Sequence, residues 1–291
     1  MIRANFERVH CRFFWPTARE RETPVISSSI QVVACPTQAS DTEVIEMMKT
    51  CQPYRRGNRL LEALPTDELE ALIPQLELVE LSPGQLLSKS GELIRTVYFP
   101  VTAIVSLLQT MENGSSVEIA AIGRDGTTGV PILTGGDTMP ASVQAQCGGF
   151  AYRISANALR EALRHSSTLR SLLLLYMQAL LTQVAQTAAC NRLHRLDEQL
   201  CRWLLVDIDR SGTSDLHVTH QLIADMLGVR REGVTEATGK LCDADLIHHS
   251  RGRVRILDRI GLEARACECY AIVKCEFDRL LPRMSAMEAK R

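Results

Sequence analysis

The sequence predicts an α+β chain: an antiparallel β-roll, then a long helix, then two short helices followed by a hairpin. Three observations carry this. Residues 76 to 154 break into short strand-like pieces separated by turn signals. The stretch STLRSLLLLYMQALLTQVAQTAACNRLHRL is one apolar-rich helical run, and Leu216 to Ser250 has the spacing of helix, tight turn and helix. A chain of 291 residues buries a sizeable core and suits about two domains. The sequence pattern divides it into an arm over 1–52, a roll over 53–165, a long helix over 166–193 and a carboxyl-terminal module over 194–291.

Residues 1–52 mix arginine, serine and threonine with three prolines and show no sustained period, which predicts disorder or a loosely attached arm. Met47 or Met48 is an expected natural start, a reading that an intact mass including residue 1 would refute. In LPTDELEALIPQL, Thr66 is placed to cap a short helix, with acidic residues in its first turn and Leu69, Leu72 and Ile73 inward. The strand pieces follow: LELVEL, QLLSKSGE, TVYFPVTAIVSLLQTM, SVEIAAIG and SVQAQCGGFAYRI. Asn113-Gly114 is the strongest hairpin signal among them. Several short strands at this spacing predict a small antiparallel roll.

In the long helix, Leu169, Leu173, Tyr176, Leu180 and Val184 fall near heptad spacing and predict the seam of a parallel two-helix dimer. A helix buried against its own domain has the same pattern. A break near Asn191 should lead into DEQLCRWLLVDID, with Leu200, Trp203, Leu204 and Ile208 inward.

Thr219 can cap the next helix, whose Leu222, Ile223, Met226 and Leu227 share a face; Gly228 suits a sharp turn, with Val229 as its apolar plug. A second helix from Arg230 carries Val234, Ala237, Leu241 and Ala244 inside and Arg231, Glu232, Thr235, Glu236 and Lys240 outside. This is the spacing of a helix-turn-helix, which sets its second helix in a DNA major groove, although an ordinary helical hairpin shares it. Arg231 suits guanine and Glu232 suits the cytosine amino group. Downstream, LIHHS, a turn at Arg251-Gly252 and RVRIL form a hairpin wing whose arginines would set positive charge beside a duplex backbone. The expected DNA-facing set is Thr219, His220, Arg230, Arg231, Glu232, Thr235, Glu236, Lys240, Arg251 and Arg253, acting on double-stranded DNA.

LGVRREGVTEATGKL and the upstream CNRLHRLDEQLCRWLL resemble the winged helix-turn-helix of the Crp-Fnr family of bacterial transcription regulators. The resemblance covers roughly Leu60 to Leu281. It implies a homodimer on a palindromic site, a hinge between roll and DNA module, a small-molecule effector and RNA polymerase as partners. Arg231 and Glu232 match the family's Arg-Glu pair, whereas Glu236 stands where the third reader is normally arginine and Arg230 replaces the usual capping serine or threonine. In the roll, Gly129-Val130-Pro131 replaces the family's Gly-Glu-Leu step and Met139-Pro140 its phosphate-gripping pair. An anionic phosphate needs a paired cation or several N–H donors, so cyclic AMP is not the expected signal. An anion nest from the amides of Gly123 to Gly129 is the remaining route.

A formal net charge of -1 gives no global pull toward nucleic acid or membrane, so DNA affinity must be local. No apolar run is expected to reach the roughly 20 residues needed to span a bilayer, and no secretory signal pattern opens the chain, which together predict a cytoplasmic protein without a membrane partner. Ten cysteines fit reduced thiols better than a disulfide framework. Cys11, Cys35, Cys51 and Cys147 lack the spacing of the family's iron-sulfur members. Cys267 and Cys269 should diverge if both are helical, and Cys275 follows them, so no metal and no cofactor is expected. His165 and His194 read as structural. The sequence contains no GxxxxGK[ST], GxSxG or HExxH motif and no zinc-spaced Cys/His quartet, which argues against an enzyme. The rival reading is a regulatory ligand- or partner-binding protein whose roll carries the activity.

Overall fold

A computed structural model describes residues 57–281. The expected arm, with Met47, Met48, Cys11, Cys35 and Cys51, and the tail from Pro282 lie outside those residues.

Asn58 opens the fold. Its Oδ1 accepts from the Leu60 and Leu61 amides at 3.1 and 3.4 Å, capping α1 (Arg59–Glu62). Its Nδ2 donates to the carbonyls of Pro100 and Gly126, both at 2.9 Å, so one buried side chain ties the helix to the roll. In α2 (Thr66–Leu72) the expected Thr66 cap is corrected. Thr66 is the first helical residue, and Pro65 holds the N-cap without a side-chain bond.

The roll contains β1 (Glu77–Leu81), β2 (Leu86–Ser88), β3 (Thr96–Pro100), β4 (Ile104–Thr110), β5 (Ser116–Ile122), β6 (Ser142–Cys147) and β7 (Gly149–Ser155). They form two antiparallel sheets, ordered β1-β7-β3 and β2-β6-β4-β5. The Asn113-Gly114 turn joins β4 to β5, with Thr110 paired to Ser116. Two pieces that read as single strands are each split between the sheets. Pro100 ends β3 because it has no ladder donor to continue, and Gly148 separates β6 from β7. Val97, Phe99, Ile104, Val105, Ala145 and Ile154 fill the interior.

After α3 (Ala156–His165), Ser166 caps α4 (Ser167–Leu193), its Oγ accepting from the Leu169 amide at 2.8 Å. The seam assignment is corrected here. Leu169, Leu173, Tyr176 and Leu180 are buried within the subunit and Val184 is half-buried, whereas Leu174 (42% exposed) and Leu181 (67% exposed) point outward. Apolar residues run almost around α4, so spacing alone selects no unique face. By length and composition α4 is also apolar enough to cross a membrane, which corrects the expectation that no run reaches that length. Its inner face packs on β5 and the last of the described helices.

The expected break falls at His194, an extended C-cap, and α5 (Leu196–Ser211) follows with Leu200, Trp203, Leu204 and Ile208 inward. Then come β8 (Asp215–Leu216), α6 (His220–Leu227), α7 (Arg231–Asp243), β9 (Ile247–Ser250) and β10 (Arg253–Ile256). Two helices end the described residues, α8 (Arg259–Arg265) and α9 (Glu268–Leu280). Ala266 and Cys267 are both extended and separate them, and α9 lies along α4. Ile104, Leu108 and Ala121 of the roll share one apolar cluster with α5, α6 and α7.

Candidate nucleic-acid interface

Local sequence builds the helical pair. Thr219 Oγ1 accepts from the Leu222 amide at 3.1 Å and starts α6. Ile223, Ala224, Met226 and Leu227 are buried, while the expected Leu222 is only half-buried. Gly228 ends the helix in a left-handed conformation, φ 65°, that a residue with a Cβ adopts only with strain, and the Val229 amide closes the turn on the Ala224 carbonyl at 3.0 Å. Arg230 is the extended N-cap of α7 and makes no side-chain cap bond. Val234, Ala237, Thr238 and Leu241 fix the inner face; Ala244, expected there, is half-buried at the C-cap.

Arg231, Glu232, Thr235, Glu236 and Lys240 all lie on the exposed side. Their chemistry differs once neighbours are counted. Lys240 Nζ is 2.7 Å from Glu236, and this charge-assisted hydrogen bond holds the Glu236 carboxyl below its usual range. Thr235 Oγ1 donates to the Arg231 carbonyl and lies 3.0 Å from His220 Nδ1. His220 is half-buried and stacked on His249 of the wing, ring centroids 4.2 Å apart, so it braces α6, α7 and β9. Burial first, then His249 and Arg231, lower its pKa and keep it neutral at neutral pH. Among the described residues, Arg231 and Glu232 are drawn into no ion pair.

The wing is a three-stranded sheet ordered β8-β10-β9, with Gly252 at positive φ in its turn. Arg253 makes a two-pronged contact with Asp215, and Arg255 Nη2 is 3.0 Å from the same carboxylate. The hydrogen bonds from Arg253 hold the Asp215 carboxyl below its usual range. Sequence reasoning counted three wing arginines as free charge and missed this partner, which lies 38 residues before Arg253. Arg251, at the exposed turn, keeps its charge clear of that carboxylate. Arg230 and Thr219 are exposed at the start of their helices.

The roll encloses a cavity of about 450 Å³ lined by Glu92, Arg95, Tyr98, Thr128, Gly129 and Met139, among others. Three of the seven amides expected to form an anion nest are engaged elsewhere: Gly126 N–H on the Gly123 carbonyl, Thr128 N–H on the Tyr98 carbonyl and Arg124 N–H on the Arg210 carbonyl. Gly126 lies against Tyr176 of α4, where any Cβ would approach the ring to 2.6–2.8 Å. The loop is therefore a packing surface for α4 and α5.

One further expectation is overturned. Cys267 and Cys269 do not diverge, because Cys267 is the extended N-cap of α9 and only Cys269 is helical. Both meet Cys190 and His194 at the end of α4, whereas Cys275 is exposed. Cys190 and His194, four apart at the end of the predicted long helix, were the signal available in the sequence, although His194 is the extended C-cap and not a helical residue.

Residues 198–265 match the family described as the Crp-like helix-turn-helix domain, and residues 78–166 match the cyclic nucleotide-binding domain family. Together they cover more than half of the chain. No curated protein sequence matches. Among solved structures, the chain is similar to FixK2 from Bradyrhizobium japonicum, with a TM-score of 0.56 and 15% identity over 66% of this chain and 98% of that one. It is also similar to a CRP-family transcriptional regulator from Thermus thermophilus, with a TM-score of 0.54 and 21% identity over 65% of this chain and 96% of that one. At such identities the likeness is one of fold.

Proposed function

Because the chain belongs to the Crp-Fnr family of transcription regulators, we propose that it acts on duplex DNA as a homodimer, one α7 entering each half of a palindromic operator. Two recognition helices related by a twofold axis reach successive major grooves about 34 Å apart, which one helix cannot do. The observation that carries the reading is the pair Arg231 and Glu232: exposed, clear of ion pairs, and in the first turn of α7 beside the wing. Arg231 has the donor fork for guanine O6 and N7, and Glu232 accepts from a cytosine amino group. Thr219, Arg230, Lys240 and Arg251 serve the phosphates around them, with Arg253 a weaker contributor because Asp215 shares its charge. His220 and Thr235 act by fixing α7 against the wing, and Glu236 by orienting Lys240.

The outward face of α4, with Leu174 and Leu181, is the surface offered to the second subunit. The cavity of the roll holds the effector, a small molecule other than a cyclic nucleotide. Where the family carries its Gly-Glu-Leu step and phosphate-gripping pair, this chain has Gly129-Val130-Pro131 and Met139-Pro140, so a cyclic phosphate loses its usual partners, and the charges that line the cavity are Arg95 and Glu92 instead. The setting is the cytoplasm, with RNA polymerase as the downstream partner.

Selection of bound fragments from random DNA gives the operator, and substitution then tests the readout. Arg231→Ala should weaken binding to it by about 1–3 kcal/mol and relax one base position. Arg251→Ala should weaken all sequences alike and lower the salt slope by about one. Uniform loss from both changes would remove the case for base reading.

A further inference from the structure

The junction between α4 and α9 gathers four side chains that the DNA-binding reading does not use. Cys190 comes from the last turn of α4 and His194 is its extended C-cap, while Cys267 and Cys269 come from the start of α9, with Cys190, Cys267 and Cys269 buried and His194 half-buried. Their potential ligand atoms all lie within 4.8 Å of one another. Cys190 Sγ is 3.5 Å from Cys267 Sγ, and Cys269 Sγ is 3.6 Å from His194 Nδ1. Metal bonds of about 2.3 Å to sulfur and 2.0–2.1 Å to nitrogen set tetrahedral edges of about 3.8 Å for two sulfurs and about 3.6 Å for sulfur and nitrogen. The two contacts lie close to these edges, whereas a disulfide needs its sulfurs about 2.05 Å apart.

Three surrounding features point the same way. His194 Nε2 lies 3.2 Å from the Glu268 carboxylate, which fixes the ring with Nδ1 turned to the thiols, the carboxylate–histidine arrangement that orients metal ligands. The three thiols form a small cluster of their own, apart from the main apolar core. Arg202 of α5 is 5% exposed, and its Nε has no hydrogen-bond partner. Its positive charge acts on both Cys190 and Cys269. Three thiolates around a divalent ion leave one negative charge, and the Arg202 guanidinium neutralises it.

We propose that Cys190, His194, Cys267 and Cys269 bind one divalent zinc-type ion that staples the end of the long helix to α9. The site is closed, with four protein ligands, and so is structural. An iron-sulfur cluster distributes its thiolates over several irons and needs them further apart than this group allows.

The full-length protein, purified under reducing conditions without chelator, should carry one zinc per chain by elemental mass spectrometry. Cys190→Ser and His194→Ala should reduce this to under a tenth, and Cys275→Ser should leave it unchanged. Glu268→Gln should weaken the metal about tenfold. Wild-type protein needs no variant for the second readout: cobalt added to stripped protein should give tetrahedral ligand-field bands and thiolate-to-cobalt charge transfer. Folded, reduced protein that takes up neither metal overturns the proposal. So does iron with acid-labile sulfide on these cysteines, or a native Cys190–Cys267 disulfide.

Discussion

At the scale of single residues, the proton count around Ser106 shows what burial imposes. Its hydroxyl faces two acceptors, Glu118 Oε2 and Gln146 Oε1, with one proton to give. Both contacts are satisfied only when Glu118 carries a proton of its own and donates to Ser106, which then donates to Gln146. Gln146 passes the chain on through its Nε2 to Asp207. Burial agrees with this count, pushing both the Glu118 and the Asp207 carboxyls above their ordinary ranges. A carboxyl raised on folding contributes stability in full below its unfolded value of about 4 and loses it as pH rises through the folded value. The melting temperature should therefore fall as pH rises from about 4 through the folded value and level off above it. Glu118→Gln keeps a donor for Ser106 and should flatten the slope in thermal melts across pH; an unchanged slope would count against a buried acid. Glu118→Ala should cost about 1–3 kcal/mol, because it strands the network. None of this was legible in SVEIAAIG, where the alternation marks inward positions but not their partners. Arg231 and Glu232 were legible because they need nothing beyond their own helix to point outward.

Elements divide according to whether their determinants are local. The Thr219 cap, the Gly228 turn and the alternating face of α7 lie within one short stretch, and the sequence placed them within a residue. α4 is different. Its heptad spacing selected Leu169, Leu173, Tyr176, Leu180 and Val184, yet the first four are occupied by the subunit's own core, because β5 and α9 approach from that side. The face left open carries Leu174 and Leu181, one heptad apart. Leu181→Glu should convert a dimer to monomers in sedimentation at micromolar concentration while leaving the melting curve of the fold in place. A charged residue at Leu173 should unfold the chain instead, since an unpaired charge would then sit in the core. Retention of the dimer by the Leu181 variant would place the seam elsewhere.

For the whole molecule, the shared apolar cluster matters most. Ile104, Leu108 and Ala121 of the roll pack with Leu200, Leu204 and Leu227 of the DNA module, and Arg210 of α5 bonds Gln183 of α4 while lying 3.5 Å from Asp125 of the roll. Roll, long helix and helix-turn-helix therefore meet at one buried junction, the route that the proposed effector would use to bias α7. Calorimetry with cyclic AMP and cyclic GMP should show no binding, and micromolar affinity for either would overturn the assignment of Met139 and Val130 as substitutes that lack the needed charges. The sequence by itself determined the order of roll, helix and winged helix-turn-helix and the residues at the tip of α7, since periodicity, caps and turns act over a few residues. Tertiary structure alone decided which face of α4 is free, that Asp215 holds Arg253, and that Cys190 and His194 meet Cys267 and Cys269. Each of these joins residues tens of positions apart, and only packing sets such distances.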